Sequence, residues 1–316
     1  MASGKGRGVI AVTGASGHLG QWVVARLLET GNEVLCISRS PRSHPAISGL
    51  SWGGPVRTLR WDIREPATAE AMKTLRPAKG LIHLAAHVPE DTARNSWEDS
   101  LGTLQTNVQG TINVLNALEG AEIASLVYAS SFEVYGVPRS IPIGETHPTL
   151  PVSAYGASKL AGEKYLRLFA EQHGLASWIL RMPAVYGPGD TLKRAIGNFI
   201  RSAVRGDDLV VHGTGEDRRD LLYVGDAVDA MERCLSRSAG CVLNLGTGAG
   251  YSVLEMAEAV REVAGGRVAI EKRERVKQRV DFSLSADRAL AVIGWTARTP
   301  LRTGIKAQLD WARSGH

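Results

Sequence analysis

The 316-residue chain is poor in cysteine: Cys36, Cys234 and Cys241 are all it has, and no two stand in a CxxC pair. That pattern speaks against a zinc site and against a disulfide framework, and it fits a reducing, cytoplasmic setting. Aromatic residues are sparse too, at 6%. No basic stripe with interleaved aromatics is present, so the usual footprint of a nucleic-acid binder is missing. Long apolar runs are also lacking. The run Val9–Val12 follows a basic, Gly-rich start and is too short for a membrane span or a signal-peptide core. Nothing repeats, and no segment is of low complexity.

What remains is an ordinary globular composition, 44% hydrophobic and 22% charged. Lys and Arg total 37 against 32 for Asp and Glu, a net charge of +5. A modest excess of this kind suits an anionic ligand, and phosphates on a cofactor or substrate would suffice. The length suits a two-lobed α/β enzyme.

Short β-branched runs alternate with stretches of helical period. Val9–Thr13, Glu33–Ile37, Val56–Arg60, Leu81–Ala85 and Leu126–Ser130 read as strands. Helical segments lie between them at His18–Thr30, Ala67–Leu75 and Leu104–Leu118. The alternation implies a Rossmann-type, doubly wound parallel sheet over 1–180. From Arg181 the pattern loosens through Pro183, Gly187, Pro188 and Gly189. The rest, 181–316, reads as a smaller α/β substrate lobe whose segments partly return to the main domain.

Thr13-Gly14-Ala15-Ser16-Gly17-His18-Leu19-Gly20 joins the first strand to the first helix. Gly14 allows the tight turn, Gly17 lets backbone approach a pyrophosphate, and Gly20 lets helix pack on strand. The helix N-terminus then offers free N–H groups to the phosphates. Strand before and helix after are the context a dinucleotide site requires. The slot where an NAD enzyme usually carries Asp or Glu holds Ser38, followed by Arg39. A hydroxyl and a cation suit a 2′-phosphate, so NADP is favoured and NAD stays possible. Arg39 as a solvated loop residue is the plain alternative. Asp62, with Ile63 beside it, is the candidate for the adenine amine, or else a helix N-cap before Pro66.

Tyr155 and Lys159 lie four apart at the start of an apparent helix, so both face one side. An ammonium there makes the phenolate of a group with an ordinary pKa of about 10 reachable near neutral pH. Such a phenol can exchange a proton with a sugar hydroxyl. The fifth strand runs into Ser130-Ser131-Phe132-Glu133-Val134-Tyr135-Gly136. Ligands in open α/β sheets sit at the carboxyl ends of strands, which places Ser131 beside the cofactor and the reacting oxygen.

Taken together with His83-Leu84-Ala85-Ala86, Asn107–Thr111, Arg181–Gly189, Arg219–Asp226, Asn244–Gly248 and Gly294-Trp295, these motifs run in order over nearly the whole chain. The chain resembles the extended short-chain dehydrogenase/reductase family, in its NAD-dependent epimerase/dehydratase branch. The resemblance implies that Leu84, Ala85 and Ala86 line the cofactor, and that Pro183 flanks the nicotinamide. It makes Asn107 an active-site or structural residue of the fourth helix. It implies that Arg219 grips a substrate diphosphate, with Arg275 or Arg279 as a second clamp, because Arg pairs with phosphate bidentately. It also implies a homodimer packed through the helices near Leu104–Leu118 and Ala154–Phe169, where Val108, Ile112, Leu115 and Leu118 form an apolar stripe. No metal is expected.

Within the resemblance, Glu133 decides between reactions. Plain 4-epimerases carry a small or hydroxyl residue there, whereas 4,6-dehydratases and some decarboxylases have a Glu that handles the C5 proton. Phe132 stands where many dehydratases have an Asp. The reading ranked first is a nucleotide-sugar 4-epimerase. Its alternatives are a dehydratase or decarboxylase using Glu133, an NADPH-dependent keto-sugar reductase, and a non-catalytic NADP-binding redox sensor. Glu133 as a neutral substitution facing solvent or a loop is the plain alternative to its role as a base.

Overall fold

In a computed structural model, which describes residues 8–89, 97–274 and 281–314, the β-branched runs form the strands of one central sheet. These are β1 (Val9–Thr13), β2 (Glu33–Ser38), β3 (Val56–Arg60), β4 (Ala78–His83) and β5 (Ser125–Ser131). Two more strands complete it, β6 (Ala176–Met182) and the short segment Val242–Asn244. From one edge the order is Val242–Asn244, β6, β5, β4, β1, β2, β3. Neighbours β4–β1, β1–β2, β2–β3 and β4–β5 pair in parallel. All residues of β1 and β5 are buried, as expected of strands covered on both faces. The strand order reverses between β1 and β4, and the carboxyl ends there define a ligand crevice.

β6 was not among the strands read from the sequence. Arg181 interrupts its apolar run, and only a buried acidic partner makes it a strand residue.

Helix α1 (His18–Glu29) buries Val23, Val24, Leu27 and Leu28 on the sheet-facing stripe. The short α2 (Ala69–Leu75) follows β3. The expected single helix over 104–118 is instead two pieces, a π-helical segment Leu104–Gln109 and α4 (Gly110–Ala117), and α3 (Ser100–Thr103) leads into them. The widened turn carries the buried Asn107, and such single-turn insertions gather at functional sites. Helix α5 (Ala154–His173) starts at Ser153, whose hydroxyl accepts the Gly156 N–H, and ends at Gly174 in the left-handed region, φ 65°.

The chain forms two compact units. Unit 1 comprises 1–134, 151–181 and 230–242, and unit 2 comprises 135–150, 182–229 and 243–316. The segment 135–150 therefore departs from the 1–180 division. It is tied to unit 2 by side chains: the Tyr135 hydroxyl donates to Asn244 Oδ1 at 2.7 Å, and Asn244 Nδ2 donates to the Ile143 carbonyl at 2.8 Å. The core of unit 1 gathers Leu35, Leu81, Leu126, Leu166 and Ile179. In unit 2 the helices Ala195–Arg205, Val253–Val263 and Leu301–Arg313 share a core around Phe199, Met256 and Ile305. Among the described residues no helix is long and apolar enough to cross a membrane.

Gly20 is buried where α1 meets the loop after β1. A Cβ there would stand 2.8 Å from the Ala15 Cα and nearer still to the Gly14 carbonyl oxygen. Backbone atoms cannot swing aside, so Gly20→Ala should cost about 1–3 kcal/mol, read as a lowered urea midpoint at unchanged slope.

Candidate active site

The glycine loop forms a cradle that side chains would fill. Gly14 sits at φ 69°, and a Cβ there would lie 2.8 Å from the Ala85 nitrogen. Gly17 is the N-cap of α1, with no side-chain cap and no acidic residue in the first turn. The first-turn N–H groups, at His18 and Leu19 onward, thus keep their capacity for an anion. These features fit the diphosphate of a dinucleotide. The loop is anchored to the end of β2: Ser16 Oγ donates to the Ser40 carbonyl at 2.8 Å and so accepts from Ser38 Oγ at 2.9 Å. Arg39, next along, is exposed.

Asp62 does not cap a helix. Thr68 caps α2, its side chain accepting the Ala71 N–H, while the Asp62 carboxylate is held bidentately by Arg64 Nε and Nη2 at 3.0 and 2.5 Å. Hydrogen bonds from the Arg64 side chain keep the Asp62 carboxyl below its usual range. Ile63 is buried in the adjoining core.

At the end of β4, the Leu84 and Ala85 N–H groups donate to Thr13 Oγ1, both at 3.2 Å, and half-buried Ala86 follows. Asn107 is fully engaged. Its Oδ1 accepts the His87 N–H at 2.7 Å, and its Nδ2 donates to the His87 carbonyl and to Ser158 Oγ at 3.0 and 2.9 Å. These bonds tie the loop after β4 to α5.

Tyr155 is half-buried, and one turn along α5 Lys159 is 2% exposed. Burial pushes the Lys159 ammonium down to about 7, and the Glu163 carboxylate opposes that shift. The ammonium lies 4.2 Å from the centroid of the Tyr128 ring, a cation–π contact that offsets part of its lost hydration. Glu163, another turn on, takes both prongs of Arg181 at 2.9 and 2.7 Å and the Ser130 hydroxyl at 2.5 Å, all buried. Tyr128, Ser130, Glu163 and Arg181 escaped the functional reading of the sequence. The one available signal was an acid four residues after Lys159, on the same helix face.

Ser131 ends β5, is buried, and accepts the Glu133 N–H at 3.2 Å. Glu133 Oε2 accepts the Ser153 hydroxyl at 2.6 Å, and that same oxygen of Ser153 caps α5. The carboxylate is therefore bound into the start of the helix that carries Tyr155. A Cβ on Gly156 would stand 2.5 Å from the Glu133 carbonyl, so the approach of β5's end to α5 depends on that glycine.

Ser131, Glu133, Tyr155, Lys159 and the glycine loop all belong to unit 1. Pro183 and Arg219 belong to unit 2, where the Arg219 guanidinium lies 5.7 Å from the centroid of the Phe282 ring. Arg275 and Arg279 fall outside the described residues. Among the described residues no cluster of His, Cys, Asp or Glu is arranged to hold a metal ion.

Comparison with known proteins agrees with the fold. The model of the NAD dependent epimerase/dehydratase family matches residues 10–246. A putative UDP-glucose 4-epimerase of Methanocaldococcus jannaschii is 30% identical over 313 residues, covering 98% of this chain and 99% of its own. UDP-glucuronic acid decarboxylase 3 of Arabidopsis thaliana is 27% identical over 310 residues, covering 94% and 86%. The solved structure of MoeE5 in complex with UDP-glucuronic acid and NAD has a TM-score of 0.84 at 31% identity, covering 98% of this chain and all of that one.

Two stability predictions follow from the buried charges. Arg181→Met breaks the buried pair with Glu163 and should cost about 3–5 kcal/mol in urea unfolding, whereas a surface pair such as Arg205–Asp207 should cost under about 1 kcal/mol when broken. The Lys159 pKa of about 7 lies below its ordinary 10.5. The unfolded chain therefore binds more protons between those values, and the native protein gains stability as pH rises through that window. Lys159→Met should exceed wild type in stability most near about pH 6, with the gap shrinking toward about pH 9.

Proposed function

The chain belongs to the NAD dependent epimerase/dehydratase family, and from that premise we propose that it is a nucleotide-sugar 4-epimerase acting on a UDP-hexose. The observation that carries this reading is the pairing of half-buried Tyr155 with the buried Lys159 ammonium one turn away. The chain is an enzyme of this family, whose relatives include UDP-glucose 4-epimerases.

When bound, the nicotinamide supplies a two-electron acceptor and donor for the sugar carbon. Gly14, Ser16, Gly17 and the first turn of α1 would hold the diphosphate, with Ala85 and Ala86 toward the reactive ring. The Tyr155 oxygen takes the proton of the C4 hydroxyl and returns it once the transient C4 ketone has turned over. Lys159 stabilises the phenolate, and Ser131 hydrogen-bonds the reacting oxygen. Unit 2 would serve as the substrate lobe, with Arg219 to pair with a substrate diphosphate.

Glu133 is what favours epimerisation over elimination or decarboxylation. A base for the C5 proton needs a carboxylate facing the sugar, and this one accepts from the Ser153 hydroxyl at the helix cap. The decarboxylase reading is kept by the relative from Arabidopsis thaliana.

NAD is the cofactor named with the neighbouring MoeE5. NADP is admitted here too, because Ser38 and exposed Arg39 stand where a carboxylate would repel a 2′-phosphate. A homodimer in the cytoplasm completes the reading. The apolar surface for it is not the predicted stripe, since Leu115 and Leu118 are core residues. It is Leu101, Leu104, Tyr165 and Leu168, which remain exposed on the packed helical segments near α3 and on α5.

Purified protein given UDP-glucose without added cofactor should yield the C4 epimer by NMR, and Tyr155→Phe should lower turnover by about 10²- to 10⁴-fold. A 4-keto-6-deoxy sugar, or CO₂ released from UDP-glucuronic acid, would replace this reading with the Glu133 chemistry. Arg39→Ala should weaken NADP binding while leaving NAD binding in place, as read by calorimetry. An equal loss for both cofactors refutes the role given to Arg39.

A further inference from the structure

His83 lies beneath the site, 1% exposed, between two threonines. The direction of each hydrogen bond around it can be worked out. Thr111 Oγ1 donates its one proton to the Asn107 carbonyl at 2.8 Å. It therefore accepts from His83 Nε2, 2.9 Å away, and that nitrogen carries the ring proton. At the other end His83 Nδ1 stands 2.6 Å from Thr13 Oγ1. Thr13 Oγ1 already accepts two N–H groups, from Leu84 and Ala85, so its own proton goes to a bare Nδ1.

A second run begins at the Asn107 side chain. Asn107 Nδ2 donates to Ser158 Oγ at 2.9 Å, and Ser158 Oγ donates to the Tyr155 carbonyl at 2.8 Å. Two runs of hydrogen bonds, joined only through the covalent frame of Asn107, thus connect the backbone beside the glycine cradle, by way of the imidazole, with the backbone of Tyr155. Together they touch β1, β4, the π-helical segment, α4 and α5.

We propose that His83 is a positioning residue, fixed as the neutral Nε2–H tautomer, which keeps the cofactor-facing end of β4 and the turn of α5 bearing Tyr155 in register. This rests on the proposed dinucleotide chemistry of the same site. Burial, and after it the Lys159 ammonium, push the His83 pKa down to about 3, so the hydrogen bonds around the ring keep their direction at neutral pH. A second proton on the ring would set an N–H against a Thr13 oxygen whose lone pairs are taken. Besides Lys159, the groups packed against the ring are Thr13, Thr111 and Tyr128, whose ring centroid is 5.5 Å away.

The test uses the full chain loaded with NAD. Nitrogen–proton NMR of isotope-labelled histidine should show His83 with Nε2 protonated, Nδ1 bare, and no titration down to about pH 5. His83→Asn retains an acceptor for Thr13 and loses the donor to Thr111. Thr111→Val breaks the same link without touching the ring. Both should bind NAD within about threefold of wild type, while turnover at saturating substrate falls about tenfold or more. A merely space-filling histidine would lower the melting temperature and leave turnover of the folded protein unchanged. An Nδ1–H tautomer, an imidazolium, or wild-type turnover in both variants overturns the proposal. The tautomer needs no sugar, so it decides the matter even where the epimerase reading fails.

Discussion

A protonated amine held out of water is the constraint around which this site is organised. Lys159 is almost fully buried on α5, where a charge is expensive unless its surroundings compensate. Two surroundings do. The Tyr128 ring presents its negative face to the ammonium, and the Glu163 carboxylate lies one turn along the same helix. Glu163 would itself be an unpaired buried charge, so it brings in Arg181 from β6 and the Ser130 hydroxyl from β5. One functional cation thereby dictates residues on three elements of the sheet layer.

The same logic accounts for the close packing around the site. The glycine cradle needs backbone near backbone at Gly14 and Ala85, and at Gly20 and Ala15. The end of β5 needs Gly156 opposite the Glu133 carbonyl, and Glu133 then closes the contact through Ser153. Asn107, on a turn widened to the π form, bolts the loop after β4 to α5. These are polar contacts in a nearly dry environment, where a satisfied group rigidifies and an unsatisfied one is costly. Tyr155 and Lys159 therefore rest on a frame with little freedom to shift.

Much of this was readable in the sequence, and the limits have physical causes. β1, β3 and the glycine loop were legible because their signals are local: β-branched runs, and glycines that only one backbone path requires. Tyr155 and Lys159 were legible because helical spacing alone puts them on one face. β6 was not, since Arg181 looks polar until Glu163 is known to face it. The division of the helix at Asn107 was also hidden, because nothing in Leu104–Leu118 breaks the helical period. Glu133 has a contact that its residue type did not disclose. The residue type suggested a catalytic base, while its partner Ser153, 20 positions away, shows a carboxylate engaged at a helix cap. Contacts between distant positions decide these cases, and one chain read alone does not display them.

The central claim is that the sugar is oxidised and restored at C4 alone, with Tyr155 as the proton carrier. It is tested most directly by isotope. UDP-glucose deuterated at C4 is converted by the enzyme in ordinary water, and the unlabelled substrate is converted in heavy water. The account predicts that the product keeps deuterium at C4 in the first case and gains none at C5 in the second. Loss of the C4 label, or solvent deuterium appearing at C5, would contradict it.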